Sequence, residues 1–365
     1  MKYLQSILWN RKLNGIAVLF SCCLLLFSHC TQQESTRLPN ENSVTPPPTP
    51  DAIPFVYADT SSAWRQTAVG RHGKLQVRGN TIVDKNGEPV QLRGMSLFWS
   101  QWIGQYWNKQ AVQWLRDDWK INVIRAAMAV DHGGYATNPA QEKAKVMAVV
   151  EAAIELGIYV IIDFHVHEAN KYEAEAKVFF AEMAQRYGQY PNVIYEPWNE
   201  PLQTGGWRMY IKPYHESIIG VIRQYDEDNL IVCGTGHYSM KVDEASLDPV
   251  KDVNVAYTLH YYAGTHQQAL RRQAQKALER GAALFVTEYG VGGASSNGTI
   301  NEEEARLWWD FLDEHKISHC NWSVADKEEV HSALLPGASP TGGWMWMDLT
   351  PSGRLVRGEI RAKNP

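Results

Sequence analysis

The chain has 365 residues, 44% of them hydrophobic and 21% charged, which excludes disorder for its bulk and by length alone allows two domains. Its formal charge is −5. The first 29 residues hold Lys2, Arg11 and Lys12 and no acid, so removing them leaves 32 basic against 40 acidic side chains, a net charge of −8 that suits neither nucleic acid nor anionic lipid.

An apolar run from Ile16 to Phe27, broken only by Ser21, follows that basic region. A dozen or so apolar residues read as an export signal, since a spanning helix needs about 20. Leu26-Phe27-Ser28-His29-Cys30 resembles a bacterial lipobox, with His29 in place of the usual small residue. Residues 1–29 are therefore expected to be a signal peptide and Cys30 the lipid-bearing N-terminus. Leu19-Phe20-Ser21-Cys22 is a rival box that would truncate the apolar run. Residues 30–58, with Thr45-Pro-Pro-Pro-Thr-Pro50, read as a semi-rigid tether. The protein is expected to be exported and held by its lipid at the periplasmic or outer face, or secreted, touching membrane through that anchor only.

Residues 59–365 read as one catalytic-sized body of about 300 residues. Leu75 to Val90 reads as a short β-hairpin turned at Asn86-Gly87. Eight apolar strands follow, at Val90–Ser96, Asn122–Met128, Tyr159–Val166, Val193–Asn199, Leu230–Thr235, Val255–Tyr262, Leu284–Tyr289 and Cys320–Asp326. Helical patterns separate them, the clearest at Ala111–Lys120, Ala140–Leu156, Glu173–Tyr187, Ile211–Tyr225, Gln267–Arg280 and Glu302–Glu314. Strands apolar throughout and alternating with helices imply parallel pairing buried on both faces. Eight of them point to an α/β fold, a (β/α)8 TIM barrel with a short N-terminal hairpin. No GxGxxG follows the first strand and no GxxxxGK[ST] occurs, which argues against a nucleotide-binding open sheet. Cys233 and Cys320 lie in apolar runs and are expected to be buried thiols; neither zinc nor any other metal or cofactor is suggested by the spacing.

In a barrel the C-terminal strand ends carry the chemistry. Arg125, Asp163, His165, Asn199, Glu200, His260, Tyr262, Glu288 and Trp322 all fall at or near such ends. Glu200 and Glu288 stand on the fourth and seventh strands, across the mouth from each other. Two carboxylates flanking one bond are what glycoside hydrolysis needs: one protonates the leaving oxygen, the other attacks the anomeric carbon or activates water. Arg125 and Tyr262 are placed to hold Glu288 ionised, Asn199 to bond a sugar 2-hydroxyl, and His165 and His260 to orient substrate or tune the acid. Spacing alone leaves retention and inversion open. Trp99 and Trp102 past the first strand and Trp207 past the fourth are expected to stack on sugar rings, whereas Trp114, Trp119, Trp308 and Trp309 lie in helical patterns and pack. His132, His167, His215 and His266 lack paired ligand spacing and are assigned surface or hydrogen-bonding roles.

These residues resemble glycoside hydrolase family 5, close to its bacterial endo-β-1,4-glucanase branch. Val193-Ile-Tyr-Glu-Pro-Trp-Asn-Glu-Pro201 is similar to the family's acid/base signature, and Phe285-Val-Thr-Glu-Tyr-Gly290 to its nucleophile segment. Arg125-Ala-Ala-Met, Asp163-Phe-His165, Leu259-His-Tyr-Tyr262 and Asn321-Trp322 fall in the family's order, and the likeness runs through residues 74–360. The resemblance implies a retaining mechanism, with Glu288 as nucleophile and Glu200 as proton donor and acceptor. It implies Arg125, His165, Asn199, His260 and Tyr262 as their support, with Trp102, Trp322, Lys327 and Glu329 as substrate-binding residues. The expected partner is then a β-1,4-glucan, cut by a monomer. Phe98, Ala129, Trp198, Tyr289 and the short loop Glu168–Ala174 depart from the branch, which leaves mannan, xyloglucan and mixed-linkage glucan as alternative substrates. A non-catalytic glycan-binding lipoprotein is the remaining alternative, and both carboxylates argue against it.

Overall fold

The structure is a computed structural model that describes residues 62–202 and 206–364. The signal, lipidation and tether readings for residues 1–58 lie outside the described residues. Two short helices, Ser62–Gln66 and Ala68–His72, lead into a hairpin of β1 (Gln76–Arg78) and β2 (Thr81–Val83). Register pairs Arg78 with Thr81, so the hairpin turns at Gly79-Asn80 rather than at Asn86-Gly87. Gly79 takes φ +61°, which glycine adopts without strain. Asn86-Gly87 makes a second turn, after which Pro89 bridges back to Val83.

Eight parallel strands then close a barrel: β3 (Arg93–Leu97), β4 (Val123–Ala129), β5 (Tyr159–His165), β6 (Val193–Glu196), β7 (Ile231–Cys233), β8 (Val255–Tyr262), β9 (Leu284–Gly290) and β10 (Ser318–Val324), with β10 paired to β3. The expected TIM barrel and its hairpin are borne out. At β3 the chain needs a glycine, because a Cβ on Gly94 would sit 1.8 Å from the Val123 carbonyl oxygen of β4.

Side chains alternate along each strand, and the alternation sorts them into layers. Ile124, Ala126 and Met128 of β4, and Val160, Ile162 and Phe164 of β5, pack outward against the helices. Val123, Tyr159, Ile161, Ile194, Val232, Ala256, Phe285 and Cys320 fill the barrel's base, where Ala68, Val69, Leu75 and Ile82 plug it. Above them the same inward rows carry Arg125, Asp163, Glu196 and His260, so the polar layer sits over an apolar floor. Cys233 and Cys320 are buried free thiols, as expected.

The helices follow from local signals. Pro139–Leu156 begins at a proline and ends at Gly157, φ +68°; Val146, Val149, Val150 and Ala153 face inward at helical spacing. In Glu302–Glu314, Asn301 caps the Glu304 amide and three acids occupy the first turn, where the helix dipole favours them. The expected helix from Ala111 instead divides into Lys109–Trp114 and a wider π-helical turn, Leu115–Trp119, ended by Lys120 at φ +63°.

Candidate active site

Arg125 organises the polar layer. It is fully buried and forms ion pairs with three carboxylates: Asp163 Oδ2 at 2.9 Å, Glu196 Oε2 at 2.7 Å and Glu288 Oε2 at 2.9 Å. Burial alone would favour a neutral guanidine, but these three charges hold Arg125 protonated. One cation among three acids leaves negative charge in excess. Burial accordingly pushes the Asp163 carboxyl up to about 7 despite Arg125, and raises Glu196 as well. His165, 2.6 Å from Asp163, is driven down to about 3 by burial and by Arg125, so its ring is neutral.

Glu288 reaches the mouth through an irregularity. Between Thr258/Phe285 and His260/Glu288, β9 spends one more residue than β8, and the pairing with β10 shifts at the same place. Such a bulge re-aims the side chains beside it. Thr287 and Glu288 consequently both serve the interior: Thr287 donates to Glu196 at 2.6 Å, while Glu288 accepts from Arg125 and, at 2.6 Å, from the Tyr262 hydroxyl. Burial, then Glu288 and Glu200, hold the Tyr262 phenol well above its ordinary range, so it remains a donor.

Glu200 lies just past β6. Its Oε1 is 2.9 Å from His260 Nδ1 and its Oε2 is 3.1 Å from His167 Nε2. Burial pushes the Glu200 carboxyl up, but the hydrogen bonds from His167 and His260 outweigh it and hold the group below the usual range. One carboxylate oxygen of Glu200, one of Glu288 and a His260 nitrogen all lie within 4.8 Å of one another. Those atoms are the group among the described residues that could converge on a metal ion, and each residue is already hydrogen-bonded to its neighbours. Asn199 spends its amide oxygen on Arg125 at 2.6 Å, which leaves its NH2 for a hydroxyl.

Aromatic walls line the cleft. Trp322 is buried and lies parallel to His165 at 5.2 Å and 5.1 Å from Phe98. The Trp322–Ser323 peptide bond is cis. Trp102 stands 56% exposed beside Trp99 at 5.2 Å, a face open to a sugar ring. Lys327 pairs with Glu329 at 2.7 Å and lies over the Phe98 ring at 5.5 Å. Trp207 corrects an expectation: it is buried, donates to the Asp248 carbonyl at 2.7 Å and packs on Tyr257, so it belongs to the core. Trp119, Trp308 and Trp309 are buried as expected.

Glu196 and Tyr238 escaped the sequence reasoning, and His167, expected in a surface or hydrogen-bonding role, proves to bond the Glu200 carboxylate. Glu196, an acid inside an apolar strand, carries its own signal, because a buried carboxylate requires partners. His167 stands two residues beyond His165, and period-two alternation continues past the strand end to bring both to the mouth. Tyr238 gives no such signal: it sits in a turn where His237, Tyr238 and Ser239 are all left-handed (φ near +57°). That turn is fastened to the Glu200 segment by the Ser239 hydroxyl on the Asn199 carbonyl at 2.6 Å and the Tyr238 amide on the Pro201 carbonyl at 3.0 Å.

A (β/α)8 barrel with two carboxylates converging over its C-terminal strand ends, each supplied with its own donors, defines a glycoside hydrolase. Residues 83–328 match the family described as Cellulase (glycosyl hydrolase family 5), and the chain belongs to that family. Endoglucanase A of Evansella cellulosilytica is 51% identical over 75% of this chain; the match covers 57% of that enzyme's length. A solved structure from Cytophaga hutchinsonii superposes with a TM-score of 0.81 at 59% identity, covering 82% of this chain and 98% of its own. The catalytic domain of Thermobifida fusca endoglucanase Cel5A superposes with a TM-score of 0.78 at 34% identity, covering 81% and 99%. A variant of that domain was solved in complex with cellotetraose.

Proposed function

We propose that the protein is a retaining endo-β-1,4-glucanase that cuts internal bonds of cellulose and related β-glucans. The observation that carries this is the carboxylate gap. One oxygen of Glu200 and one of Glu288 lie within 4.8 Å of each other, in keeping with the roughly 5–5.5 Å carboxyl separation of retaining enzymes. The names of the relatives support the choice of polymer.

Glu288 attacks the anomeric carbon, its charge held in place by Arg125 and Tyr262. Glu200 protonates the leaving oxygen, then takes a proton from the incoming water as the glycosyl ester breaks. His165 and Asn199 meet the sugar at the point of cleavage, and Trp102, Trp322, Lys327 and Glu329 hold the chain beyond it. Reducing-end release from carboxymethylcellulose tests the assignment. The native enzyme should release sugar and Glu288→Gln should lose at least about 10³-fold, some 4 kcal/mol of barrier. Release from mannan or xyloglucan but not from cellulose derivatives would keep the mechanism and replace the polymer.

The same reading places a monomeric catalytic body on a lipid anchor at Cys30, joined by the proline-rich tether. Among the described residues no helix is long and apolar enough to cross a membrane.

A further inference from the structure

Glu200 is gripped on both oxygens, and the two histidines that grip it are not equivalent. His260 is buried and its far side is fixed. Its Nε2 lies 2.9 Å from the Thr287 hydroxyl, which is itself bonded to Glu196. His167 is different: its side chain is 39% exposed, and its Nε2 meets Glu200 Oε2 from the cleft side.

We propose that His167 shares the catalytic proton with Glu200, so that the general acid of this enzyme is the Glu200–His167 pair rather than the glutamic acid alone. The proposal rests on Glu200 being the acid/base. His167 acts through Glu200 and is a positioning residue.

The surroundings of His167 favour a proton there. Glu200 faces it directly, with the charges of Glu288 and Asp131 farther off; the neutral His165 ring and the Tyr238 ring are its other titratable neighbours. The hydrogen bond to Glu200 and these acidic charges outweigh burial and raise the imidazole above its ordinary range, while the same bond holds Glu200 below its own. Between two groups shifted in opposite senses, the resting proton sits on the imidazole. The ring is also held in place. The Trp198 indole donates to the His167 carbonyl at 3.1 Å, and the Trp99 and Tyr238 rings flank the imidazole at 6.0 and 5.9 Å. Tyr238 is brought there by the left-handed turn that is bonded to the chain on either side of Glu200.

The proton count closes over both halves of the reaction. As the glycosidic bond breaks, the leaving oxygen keeps the bonding electron pair and takes a proton from Glu200. The His167 Nε2–H bond breaks to replace that proton, leaving neutral His167 and ionised Glu200 beside the Glu288 ester. In the second half the water oxygen bonds to the anomeric carbon and the ester bond breaks, returning Glu288 as carboxylate. The water proton passes through Glu200 to the His167 Nε2 lone pair.

The test compares kcat/KM against pH for the full-length protein and its His167→Gln, His167→Ala and Glu200→Gln variants. The substrates are cellopentaose, whose leaving group needs a proton, and 2,4-dinitrophenyl β-cellobioside, whose leaving group does not. Glutamine preserves a donor to Glu200 but cannot carry the proton. His167→Gln should therefore move the basic limb on cellopentaose down by about one pH unit and lower the rate at pH 7 about tenfold or more. The dinitrophenyl substrate should stay within about threefold, and added imidazole should restore part of the His167→Ala loss. An unmoved basic limb in His167→Gln, or equal losses on both substrates, would overturn the proposal. Glu200→Gln must show the same dependence on leaving group. If it does not, the acid/base assignment falls and the pair with it; if it does while His167→Gln leaves the limb in place, the pair alone is wrong.

Discussion

Arg125 is the residue on which the charge balance of the site turns. Three carboxylates share its guanidinium in a fully buried layer, and removing one partner from such a cluster leaves uncompensated charge. Arg125→Met should therefore destabilise the protein by about 3–5 kcal/mol in urea unfolding at pH 7, besides abolishing activity. The deficit should shrink as the pH falls toward 5, because protonated Asp163 and Glu196 need no counter-charge, and both are already raised by burial. A loss below about 1 kcal/mol at pH 7 would mean the layer is neutral without Arg125 and would refute this account. The sequence placed Arg125, Glu200 and Glu288 in the site, since Glu200 and Glu288 fall near the ends of apolar strands and Arg125 is a charge within one. Glu196 signalled only that an acid in an apolar run needs partners; those partners, Arg125, Thr258 and Thr287, come from three other strands and show only in the fold.

Elements show where periodicity informs and where it fails. The helices Glu173–Tyr187 and Glu302–Glu314 were readable to their ends, because a 3.6-residue rhythm held throughout, whereas the eight apolar strands were readable in place and order but several of their ends shift by two or three residues. The bulge in β9 was not readable: strict alternation would have turned Glu288 away from Thr287, and only the extra residue against β8 lets both serve the site. The hairpin failed for a different reason. Asn86-Gly87 is the stronger turn dipeptide, yet Gly79-Asn80 makes the tighter closure and Asn86-Gly87 only returns the chain to Val83. At the barrel's other end, Asp313 ties Glu302–Glu314 to β3 through Arg93 at 2.8 Å and to the last helix, Pro351–Lys363, through Lys363 at 2.6 Å. Burial pushes the Asp313 carboxyl up, but Lys363 and Arg93 outweigh it and bring it down to about 2. A depressed carboxyl stabilises the fold above its unfolded pKa and loses that contribution as pH falls through its folded one. Asp313→Asn should thus cost about 1–2 kcal/mol at pH 7, discounted for partial exposure. In thermal unfolding the gap to the parent should narrow as pH falls from about 4 toward 2. A gap that stays constant over that range would show the ion pairs contribute nothing.

For the whole molecule, the barrel and its site were legible because they rest on apolar rhythm and on charged residues at strand ends, whereas the N-terminal readings rest on composition and one short motif. The two parts nonetheless make one physical proposal. A net charge of −8 beyond residue 29 gives the body no attraction to anionic lipid, so membrane association has to come from the N-terminus. A single acyl chain binds reversibly, and stable anchoring takes two signals, which a diacylated Cys30 would supply. Expressed in a Gram-negative host, the native protein should sediment with membranes, be released by detergent and incorporate labelled fatty acid. Cys30→Ser should appear in the soluble or secreted fraction, unlabelled, with unchanged kcat on soluble glucan. Retention of the label in Cys30→Ser and its loss in Cys22→Ser would transfer the anchor to the earlier box. Sedimentation of both variants without label would replace the lipoprotein with an uncleaved signal anchor.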